Sequence, residues 1–333
     1  MIPTLLLTRS DVERLLTPEV CLAAVEAAFR QLGEGTASPP ASLGMQAERG
    51  SFHVKAGLLT LDRAYFAAKL NANFPENGSR HGLPTIQGAV ILSDASIGAP
   101  LAIMDSISIT ALRTAAASAI AAKHLARNSW TTLLICGCGG QAWSHLAALS
   151  SVRRPREVLA YDADPGRAAA FAGAVGEKAG IKARPVRDLR TAMGEADVAV
   201  TCTTSKKFFV TRDMVRPGTF IAAVGADHEN KQEIEPDLLA HAKLVTDITA
   251  QAAAIGDLHH AIAAGAMSAE QVHAELGQIV AGRKAGRVRD DEIIIFDSTG
   301  TGLQDVAAAI AVYQRALAAN CGTPVSLAEK EPA

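Results

Sequence analysis

The run from Gly137 to Ala142 has residue types and spacing suited to binding a phosphate group. It reads Gly-Cys-Gly-Gly-Gln-Ala, fits the pattern G-x-G-x-x-G/A, and lies between a strand-like run, TTLLIC, and a segment with helical periodicity. Glycines at such a turn let a pyrophosphate approach the backbone, and the start of the following helix carries partial positive charge. The turn therefore predicts a dinucleotide site. Its predicted contacts are Gly137, Gly139, Gly140, Gln141 and Ala142.

Asp162 belongs to the same predicted site. It ends the next strand-like run, VLAYD, where a carboxylate accepts hydrogen bonds from the adenosine ribose hydroxyls and repels a 2′-phosphate. The sequence therefore predicts NAD as the cofactor. Arg167, about one helical turn further on, softens this preference and leaves NADP open.

The elements around this motif alternate between apolar strands and helices. After Trp130 the runs VLAYD, VAVTCTT, TFIAAVG, KLVTDIT and IIIFDST recur, with helices or turns between most of them. This order is typical of a parallel, doubly wound sheet of the Rossmann type. We therefore assign residues 124–304 to a dinucleotide-binding domain of the α/β class.

The N-terminal part follows a different pattern. Short β-rich runs between residues 36 and 110, separated by turns, predict an antiparallel sheet. An Ala-rich helix is expected from about 110 to 125 and a final helix from Asp305 to about 319, and the polar residues 321–333 are expected to form a loose tail. Residues 1–123 with 305–333 are thus expected to form a second, sheet-rich α+β domain.

Composition argues against several classes of function. The 32 basic and 34 acidic residues are well mixed and give a net charge of −2, without the basic stripe that a nucleic-acid interface needs. The five cysteines are scattered, which favours a reducing compartment, and no Cys/His set has zinc-like spacing, so we expect no metal. No apolar run reaches the roughly 18 residues of a membrane span, and the first residues do not resemble a signal peptide. We expect a cytoplasmic protein without a membrane partner.

An ordered set of segments resembles the ornithine cyclodeaminase/μ-crystallin family. The segments are KLNANFPEN, GLPTIQGAVIL, ITALRTAAASAIAAKHLAR, GCGGQAWSHLAAL, VGADHENKQEIEPDLL, GDLHHAIAAG and FDSTGTGLQDVAAA. They cover nearly the whole chain and are specific for the family, but they specify the reaction poorly. The resemblance implies a Rossmann domain joined to a substrate-binding sheet domain, two copies of which close together in a homodimer.

The resemblance also implies roles for individual residues. Lys69 is expected beside the substrate, Arg113 on its carboxylate, and Asp227 as the acid/base group near the amino or imino nitrogen. An arginine fork binds a carboxylate through two hydrogen bonds, and reduction of an iminium carbon needs a nearby group that exchanges the nitrogen proton. By resemblance alone, the residues around the nicotinamide and its ribose are Thr203, Ser205, Val224 and Ser298.

The chain departs from the family pattern in three places. Many members have an arginine shortly after a Pro-Pro pair, where this chain has Ala41, and Met-Pro where it has Lys55. We therefore expect a cation to have moved from position 41 to position 55, and Lys55 to contact the substrate. Trp143 stands where members often have an arginine beside the phosphates. His-Glu-Asn-Lys at 228–231 replaces the Cys-Pro-Gly-Lys typical of cyclodeaminases.

These observations lead to competing functions that share a small α-imino or α-amino acid as partner. The leading hypothesis is an NAD(P)H-dependent reductase of a ketimine or cyclic imine, which in reverse is an amino-acid dehydrogenase. The second is a cyclodeaminase that releases ammonia with catalytic NAD, which the replacement at 228–231 weakens. A dehydratase also fits this fold. The third class is a dinucleotide-binding protein without turnover, against which Lys69, Arg113 and Asp227 count.

Overall fold

The computed structural model describes residues 3–327. Its strands are β1 (Thr4–Leu7), β2 (Ala41–Ala47), β3 (Gly50–Thr60), β4 (Ala64–Asn73), β5 (Ile86–Asp94), β6 (Pro100–Asp105), β7 (Thr132–Cys136), β8 (Glu157–Tyr161), β9 (Lys182–Pro185), β10 (Val198–Thr201), β11 (Lys206–Val210), β12 (Phe220–Ala223), β13 (Gln232–Ile234), β14 (Lys243–Thr246), β15 (Ala274–Glu275), β16 (Ile294–Asp297) and β17 (Thr323–Val325). Its α-helices are α1 (Arg9–Leu15), α2 (Pro18–Glu34), α3 (Asn77–His81), α4 (Ser106–Leu125), α5 (Gly140–Val152), α6 (Pro165–Ala179), α7 (Leu189–Glu195), α8 (Pro236–His241), α9 (Thr249–Ile255), α10 (Asp257–Ala263), α11 (Leu276–Val280) and α12 (Gly302–Ala318). Across residues 3–327, none of the helices has the length and apolar character needed to span a membrane.

The chain divides into two units. The N-terminal unit comprises the residues up to Arg113 together with those from Thr301 onward, and the Rossmann unit comprises Thr114–Gly300. The dividing points therefore lie at 113/114 and 300/301, whereas the sequence pattern suggested 123/124 and 304/305. Helix α4 runs without interruption through the first dividing point, so the sequence has no turn signal there. The roles assigned to the two domains stay a prediction.

The N-terminal unit is built on one sheet in the order β17-β1-β6-β5-β4-β3-β2. Neighbouring strands are antiparallel except β1 and β6, so the predicted antiparallel sheet is confirmed. The expected loose tail is wrong at β17, which pairs with β1 and places Val325 opposite Thr4. This pairing satisfies backbone groups that an edge strand would expose. The rest of the predicted tail, residues 328–333, lies outside the described residues.

One face of this sheet is the core of the N-terminal unit. Helix α12 packs on β3, β4 and β5, and α2 packs on α12. Alternate side chains of the strands point into this core because successive strand residues face opposite sides. The fully buried ones include Leu59, Tyr65, Val90 and Leu92. Gly302 lets the first turn of α12 approach β3 closely, since an added Cβ would lie 2.3 Å from the carbonyl oxygen of Ala56.

The opposite face of the same sheet is apolar and exposed in the single chain. Its exposed side chains lie on four neighbouring strands and share one strand face in the register of the sheet. They are Leu43, Met45, Phe52, Leu58, Phe66, Leu70 and Ile91. We call this set the outer apolar face. Contiguous exposed apolar surface of this kind is uncommon on monomers and marks an interaction surface.

The Rossmann unit contains a parallel sheet in the order β15-β14-β16-β12-β10-β7-β8-β9. Every residue of β10, β12 and β16 is buried, as expected for strands covered by helices on both faces. The doubly wound α/β sheet predicted from the strand–helix alternation is confirmed.

Two helices begin earlier than the sequence pattern suggested, and one of them, α4, carries the predicted site residue Arg113. Helix α4 starts at Ser106, where the Asp105 carboxylate accepts a hydrogen bond from the Ile107 amide at 3.0 Å and caps the helix. Helix α12 starts at Gly302, so Asp305 lies within its first turn. Carboxylates near a helix N-terminus are stabilised by the helix dipole.

Candidate functional site

The glycine turn after β7 has the geometry of an anion-binding cradle. Gly137 has φ +99°, and an added Cβ would lie 2.9 Å from the Cys202 carbonyl oxygen, so glycine is required there. Gly139 is the N-cap of α5 and has no side chain to cap the first amides. Added Cβ atoms at Gly139 and Gly140 would meet nothing within 4 Å, so the backbone there is open to a ligand. This arrangement fits a pyrophosphate at a helix N-terminus.

The other predicted residues of this turn lie beside it. Ala142 is fully buried, as expected where α5 packs closely on the sheet. The Gln141 side-chain oxygen is buried and has no hydrogen-bond partner within residues 3–327. Trp143, which stands in place of an arginine, instead packs edge-on against Phe171 of α6 with ring centroids 5.1 Å apart. Its aromatic ring therefore contributes to helix packing.

Asp162 is held at the end of β8 against the glycine turn. Its carboxylate accepts hydrogen bonds from the Cys138 amide at 2.8 Å and the Asp164 amide at 2.9 Å. These bonds orient the carboxylate and leave it further capacity to accept hydrogen bonds. Arg167 contacts Asp164, with Nε 3.7 Å from Oδ2, so the cation that would favour a 2′-phosphate is paired with another residue.

Glu233 organises the loops that follow β10 and β12, and the sequence analysis did not single it out. Its buried carboxylate accepts hydrogen bonds from Thr201 Oγ1 (2.6 Å), the Thr203 amide (2.7 Å), Thr203 Oγ1 (2.6 Å) and the Gly225 amide (2.8 Å). Burial raises the pKa of Glu233, although these hydrogen bonds oppose the shift. An added Cβ on Gly225 would lie 2.4 Å from the Thr203 carbonyl oxygen, so the two loops touch.

The remaining residues predicted around the nicotinamide lie on these loops and on the loop after β16. The Ser205 amide donates to Thr203 Oγ1 at 3.1 Å, and Val224 is 8% exposed. Ser298 is buried, its amide donates to the Ala223 carbonyl oxygen at 2.9 Å, and its hydroxyl has no partner within the described residues. The structure thus brings Thr203, Ser205, Val224 and Ser298 to the carboxyl ends of the parallel strands, where ligands bind in this fold.

Two further buried carboxylates, Asp257 and Asp297, lie close enough to Glu233 for its charge to raise their pKa values. Asp257 accepts hydrogen bonds from the amides of Glu233 (2.8 Å) and Ile234 (3.0 Å), and Asp297 accepts one from Leu258 (2.9 Å). Burial and the neighbouring Asp297 raise the pKa of Asp257 well above its usual range, and burial raises the pKa of Asp297 to about 7. Within residues 3–327, no group of three or more His, Cys, Asp and Glu residues has the arrangement of a metal site.

In the N-terminal unit, Lys69 and Arg113 meet at Asp305. Lys69 Nζ lies 2.9 Å and Arg113 Nε 3.0 Å from the same oxygen, Asp305 Oδ1, and all three side chains are buried. Arg113 also donates to Gln304 Oε1 at 2.9 Å. The second oxygen of Asp305 and the amide nitrogen of Gln304 are buried without a hydrogen-bond partner in the described part of the chain. Buried polar atoms usually have partners, so an ordered water or a polar ligand would satisfy these two atoms.

The charges of this cluster shift one another's pKa values. Burial, followed by the neighbouring Arg113, lowers the pKa of Lys69 from 10.5 to about 7 in spite of Asp305. Burial alone would raise the pKa of Asp305, but Lys69 and Arg113 outweigh it and lower that pKa. Neither Asp305 nor Gln304 was among the residues that the sequence analysis predicted. Asp305 lies 236 positions from Lys69 in the chain, so no local spacing connects them.

Lys55 lies on the same face of the sheet as Lys69. The two lysines are directly opposite each other on β3 and β4, and Lys55 also acts electrostatically on Asp305. The side chain of Ala41 points to the other face of the sheet, because Ala41 is opposite Ala56 in the pairing of β2 with β3. A cation at 41 and one at 55 therefore do not occupy equivalent places in this sheet.

Asp227 follows β12 on the loop that also contains Gly225. Its carboxylate is about half exposed and accepts a hydrogen bond from Lys231 Nζ at 2.6 Å, an ion pair across four residues. Lys231 is the last residue of the segment 228–231, which differs from the pattern of cyclodeaminases. Its ammonium group thus forms an ion pair with the predicted acid/base residue. Asp227 belongs to the Rossmann unit, whereas Lys55, Lys69 and Arg113 belong to the N-terminal unit.

Comparison with known proteins gives the family. The sequence pattern of the ornithine cyclodeaminase/mu-crystallin family matches residues 3–320. The chain belongs to this family. It is 40% identical to an alanine dehydrogenase of Archaeoglobus fulgidus over 97% of this chain and 98% of that protein.

Solved structures of similar proteins superpose on nearly the whole chain. An archaeal alanine dehydrogenase, solved as a dimer with bound NAD, superposes with a TM-score of 0.92 at 39% identity, covering 97% of this chain and 99% of that one. The Thermococcus litoralis Δ1-pyrroline-2-carboxylate reductase, solved with NADH and L-proline, gives a TM-score of 0.91 at 34% identity, covering 97% and 100%. The family predicted from the ordered sequence segments is confirmed.

Proposed function

We propose that the protein is an NAD(H)-dependent oxidoreductase that reduces the C=N group of an α-imino acid or, in reverse, oxidises an α-amino acid. The observation that carries this proposal is the buried cluster of Lys69, Arg113 and Asp305. Burying charges costs several kcal/mol per ion, and apolar replacements of such clusters are often more stable. Two cations in a buried place therefore favour a ligand-binding role, and a carboxylate is the ligand that an arginine and a lysine suit. The similar proteins named above act on amino or imino acids, which supports this assignment.

The cofactor residues fit NAD(H). The open backbone at Gly139 and Gly140 and the start of α5 hold the pyrophosphate, and Asp162 accepts hydrogen bonds from the adenosine ribose hydroxyls. When bound, NADH supplies a hydride from its nicotinamide and is oxidised to NAD⁺. Glu233 fixes Thr203 and the loop of Gly225, which we assign to the nicotinamide end.

Different residues bind the substrate and transfer its proton. Arg113 and Lys69 hold the α-carboxylate of the substrate, and Asp305 keeps both cations in place. Asp227 stabilises the protonated imino nitrogen and exchanges its proton. In reduction the hydride forms a C–H bond at the α-carbon, the π electrons of the C=N bond pass to nitrogen, and the product is the amine. Oxidation of the amino acid is the same step reversed.

We also propose that two copies associate through the outer apolar face, in the cytoplasm. A second copy is the occupant that fits this face because it presents apolar side chains on four adjacent strands, and a similar alanine dehydrogenase is a dimer. Light scattering at micromolar concentration tests this with Leu70→Asp, which is expected to yield monomers. Leu317→Asp, at an exposed apolar position on α12, is the control and is expected to stay dimeric. A monomeric wild-type protein would contradict the assignment.

The function is tested by following NADH oxidation with 2-oxo acids plus ammonia and with cyclic imines such as pyrroline-2-carboxylate. One NADH consumed per product formed is the expected result. Ammonia release from ornithine with only catalytic NAD would replace the proposal by a cyclodeaminase. Tight NADH binding with no turnover of any imine or amino acid would leave a dinucleotide-binding protein instead.

A further inference from the structure

Gln304 is a buried polar residue of the N-terminal unit to which the proposed function gives no role. It lies in the first turn of α12, directly before Asp305, and is 1% exposed. Its Oε1 accepts a hydrogen bond from Arg113 Nη1 at 2.9 Å. A guanidinium group only donates hydrogen bonds, so the oxygen of the amide has to face Arg113. This contact therefore fixes the orientation of the Gln304 amide.

The other end of the amide has an unfavourable environment. With Oε1 facing Arg113, Nε2 is buried and has no hydrogen-bond partner within residues 3–327. An ordered water or a ligand is needed to satisfy such a donor, whereas an apolar side chain of similar length needs neither. Packing alone therefore does not explain a glutamine at this position, and its contact with Arg113 is the polar interaction that accounts for it.

The guanidinium group of Arg113 is held at two of its three nitrogens. Nε donates to Asp305 Oδ1 at 3.0 Å, and Nη1 donates to Gln304 Oε1. A single contact at Nε would leave the plane of the group free to tilt, whereas the second contact fixes that plane. Nη2 has no hydrogen bond to the described residues and is not one of the fully buried atoms without a partner, so it stays accessible. It is the nitrogen left for a carboxylate.

Asp305 and Gln304 act on Arg113 in different ways. Asp305 Oδ1 also accepts a hydrogen bond from Lys69 at 2.9 Å, so one oxygen is shared by two cations. Its contribution is mainly the attraction of a charge, which depends little on direction. Gln304 is uncharged and contributes a directed hydrogen bond, and it does not reduce the positive charge available to a substrate carboxylate.

The first turn of α12 packs directly on β3, which holds Gln304 in place. An added Cβ on Gly302 would lie 2.3 Å from the Ala56 carbonyl oxygen, and one on Gly57 would lie 3.4 Å from the Gly302 carbonyl carbon. The helix backbone thus contacts the strand with no side chain between them at these positions. A side chain on such a closely packed element positions its partner more precisely than one on a loop.

We propose that Gln304 is a positioning residue for substrate binding, which fixes the plane of the Arg113 guanidinium so that Nη2 meets the α-carboxylate of the substrate. This inference rests on the proposed function, in which Arg113 holds that carboxylate. Gln304 acts through Arg113 and does not contact the reacting atoms. Removing its oxygen therefore weakens substrate binding and leaves the hydride transfer itself nearly unchanged.

The first experiment measures KM and kcat for the reduction of pyrroline-2-carboxylate by NADH. Gln304→Met keeps the length of the side chain and removes the acceptor. We expect KM to rise about tenfold, the lower end of the effect known for partners that orient metal ligands, with kcat within about twofold of the wild-type value. Gln314→Met, the same substitution at an exposed position of α12, is the matched control and is expected to keep the wild-type KM.

Gln304→Glu is the second variant, because it keeps an acceptor for Arg113 Nη1. Its KM is expected to stay closer to the wild-type value than that of Gln304→Met, in spite of the added negative charge. Urea unfolding of both variants is measured in parallel. A KM in Gln304→Glu that is raised as much as in Gln304→Met, with both proteins folded, would contradict a role for the acceptor.

A double-mutant cycle distinguishes positioning from a general loss of structure. If Gln304 acts through Arg113, Gln304→Met should raise KM little further in an Arg113→Lys background, because the guanidinium that it orients is already absent. The same fold-increase of KM in both backgrounds, or a fall in kcat with KM unchanged, overturns the positioning role.

The last experiment needs no turnover. Calorimetric titration of the NADH-bound protein uses pyrrole-2-carboxylate, an unreactive planar analogue, and its carboxamide, which lacks the charge. The wild-type protein is expected to prefer the carboxylate, and Gln304→Met to reduce this preference about tenfold while Gln314→Met keeps it. Equal affinity of the wild-type protein for the two ligands, or an unchanged preference in Gln304→Met, overturns the inference. A reduced preference in Gln304→Met, in a protein that reduces no imine, contradicts the proposed function and upholds the positioning of Arg113.

Discussion

Lys69 Nζ and Arg113 Nε both lie within 3.0 Å of one oxygen of Asp305, at a place where all three side chains are buried. The arrangement fixes two cations with one carboxylate and leaves the other carboxylate oxygen without a partner in the described residues. Because its pKa is lowered to about 7, the amine of Lys69 gains or loses a proton near neutral pH. Several consequences of this geometry can be measured.

The first prediction concerns Asp305. In Asp305→Asn the two cations lose their counter-charge while the shape is kept, and breaking a buried pair costs about 3–5 kcal/mol of unfolding free energy. Urea unfolding measures this loss. Arg80→Gln removes a partner from the exposed Arg80–Glu76 pair and is expected to change stability by less than about 1 kcal/mol. Equal stability of Asp305→Asn and the wild-type protein would show that Asp305 does not balance these cations.

The second prediction is a pH dependence set by Lys69. Its pKa is about 7 in the folded protein, below the 10.5 of a free lysine, so the unfolded state binds the proton more tightly between these values. The contribution of Lys69 to the free energy of unfolding therefore increases with pH across this window. Substrate binding is expected to weaken as the pH rises, because the substrate carboxylate needs the protonated amine of Lys69.

We expect kcat/KM to fall about tenfold per pH unit above a break near pH 7, since this ratio reports the free enzyme. Lys69→Arg keeps a cation that stays protonated, so its profile should lose that break even if its activity is lower. An unchanged break in Lys69→Arg would assign the titration to another group.

The third prediction concerns Glu233 as a positioning residue. Its carboxylate accepts four hydrogen bonds, and the amide in Glu233→Gln would turn a donor toward donors of Thr203 or Gly225. We expect the NADH dissociation constant to rise roughly tenfold and stability to fall by about 1–3 kcal/mol. Glu235→Gln, which changes an exposed acceptor of the Arg212 amide, is the control. Wild-type NADH affinity in a folded Glu233→Gln protein would refute the positioning role.

The fourth prediction is that NAD(H) binds more tightly than NADP(H). Asp162 is fixed by two backbone amides in a position to repel a 2′-phosphate, and Arg167 is paired with Asp164. Fluorescence titration of both reduced cofactors measures the difference. Asp162→Ser should weaken NADH binding and reduce the selectivity. Asp164→Ser removes the ion-pair partner of Arg167 and leaves Asp162 in place. It therefore tests whether Arg167 affects the selectivity between the two cofactors. Tighter binding of NADPH by the wild-type protein is the result that excludes this account.

A local sequence pattern predicts the glycine turn more readily than it predicts the partners of Lys69, Arg113 or Thr203, for a physical reason. The glycine turn and Asp162 act through neighbouring backbone, and residues 137–142 follow a local pattern that implies their geometry. Asp305 and Glu233 instead act on residues brought together by the sheets, and neither has a local pattern. The sheet register likewise decides that Lys55 faces Lys69 while Ala41 faces the other side. The pairing of β17 with β1 joins the two ends of the described chain, which composition does not reveal.

The last prediction separates binding from proton transfer. Arg113→Lys keeps a charge near Asp305 but removes the guanidinium fork, so it should mainly raise KM, by about ten- to a hundredfold. Arg113→Ala is less informative because it also breaks the buried pair with Asp305 and should lower stability. Unfolding measured in parallel distinguishes these effects.

Asp227→Asn keeps the shape of the side chain and removes the charge that exchanges the nitrogen proton. The residue is about half exposed, so the fold should tolerate the change, and losing its ion pair with Lys231 should cost at most about 1 kcal/mol. We expect kcat to fall by about 10²–10⁴ while NADH affinity stays close to that of the wild-type protein. Lys231→Met is the control, because it removes the same ion pair and leaves the carboxylate. If Asp227→Asn and Lys231→Met lower kcat equally, the ion pair matters and the carboxylate has no proton-transfer role. Wild-type kcat in a folded Asp227→Asn protein would rule out the mechanism.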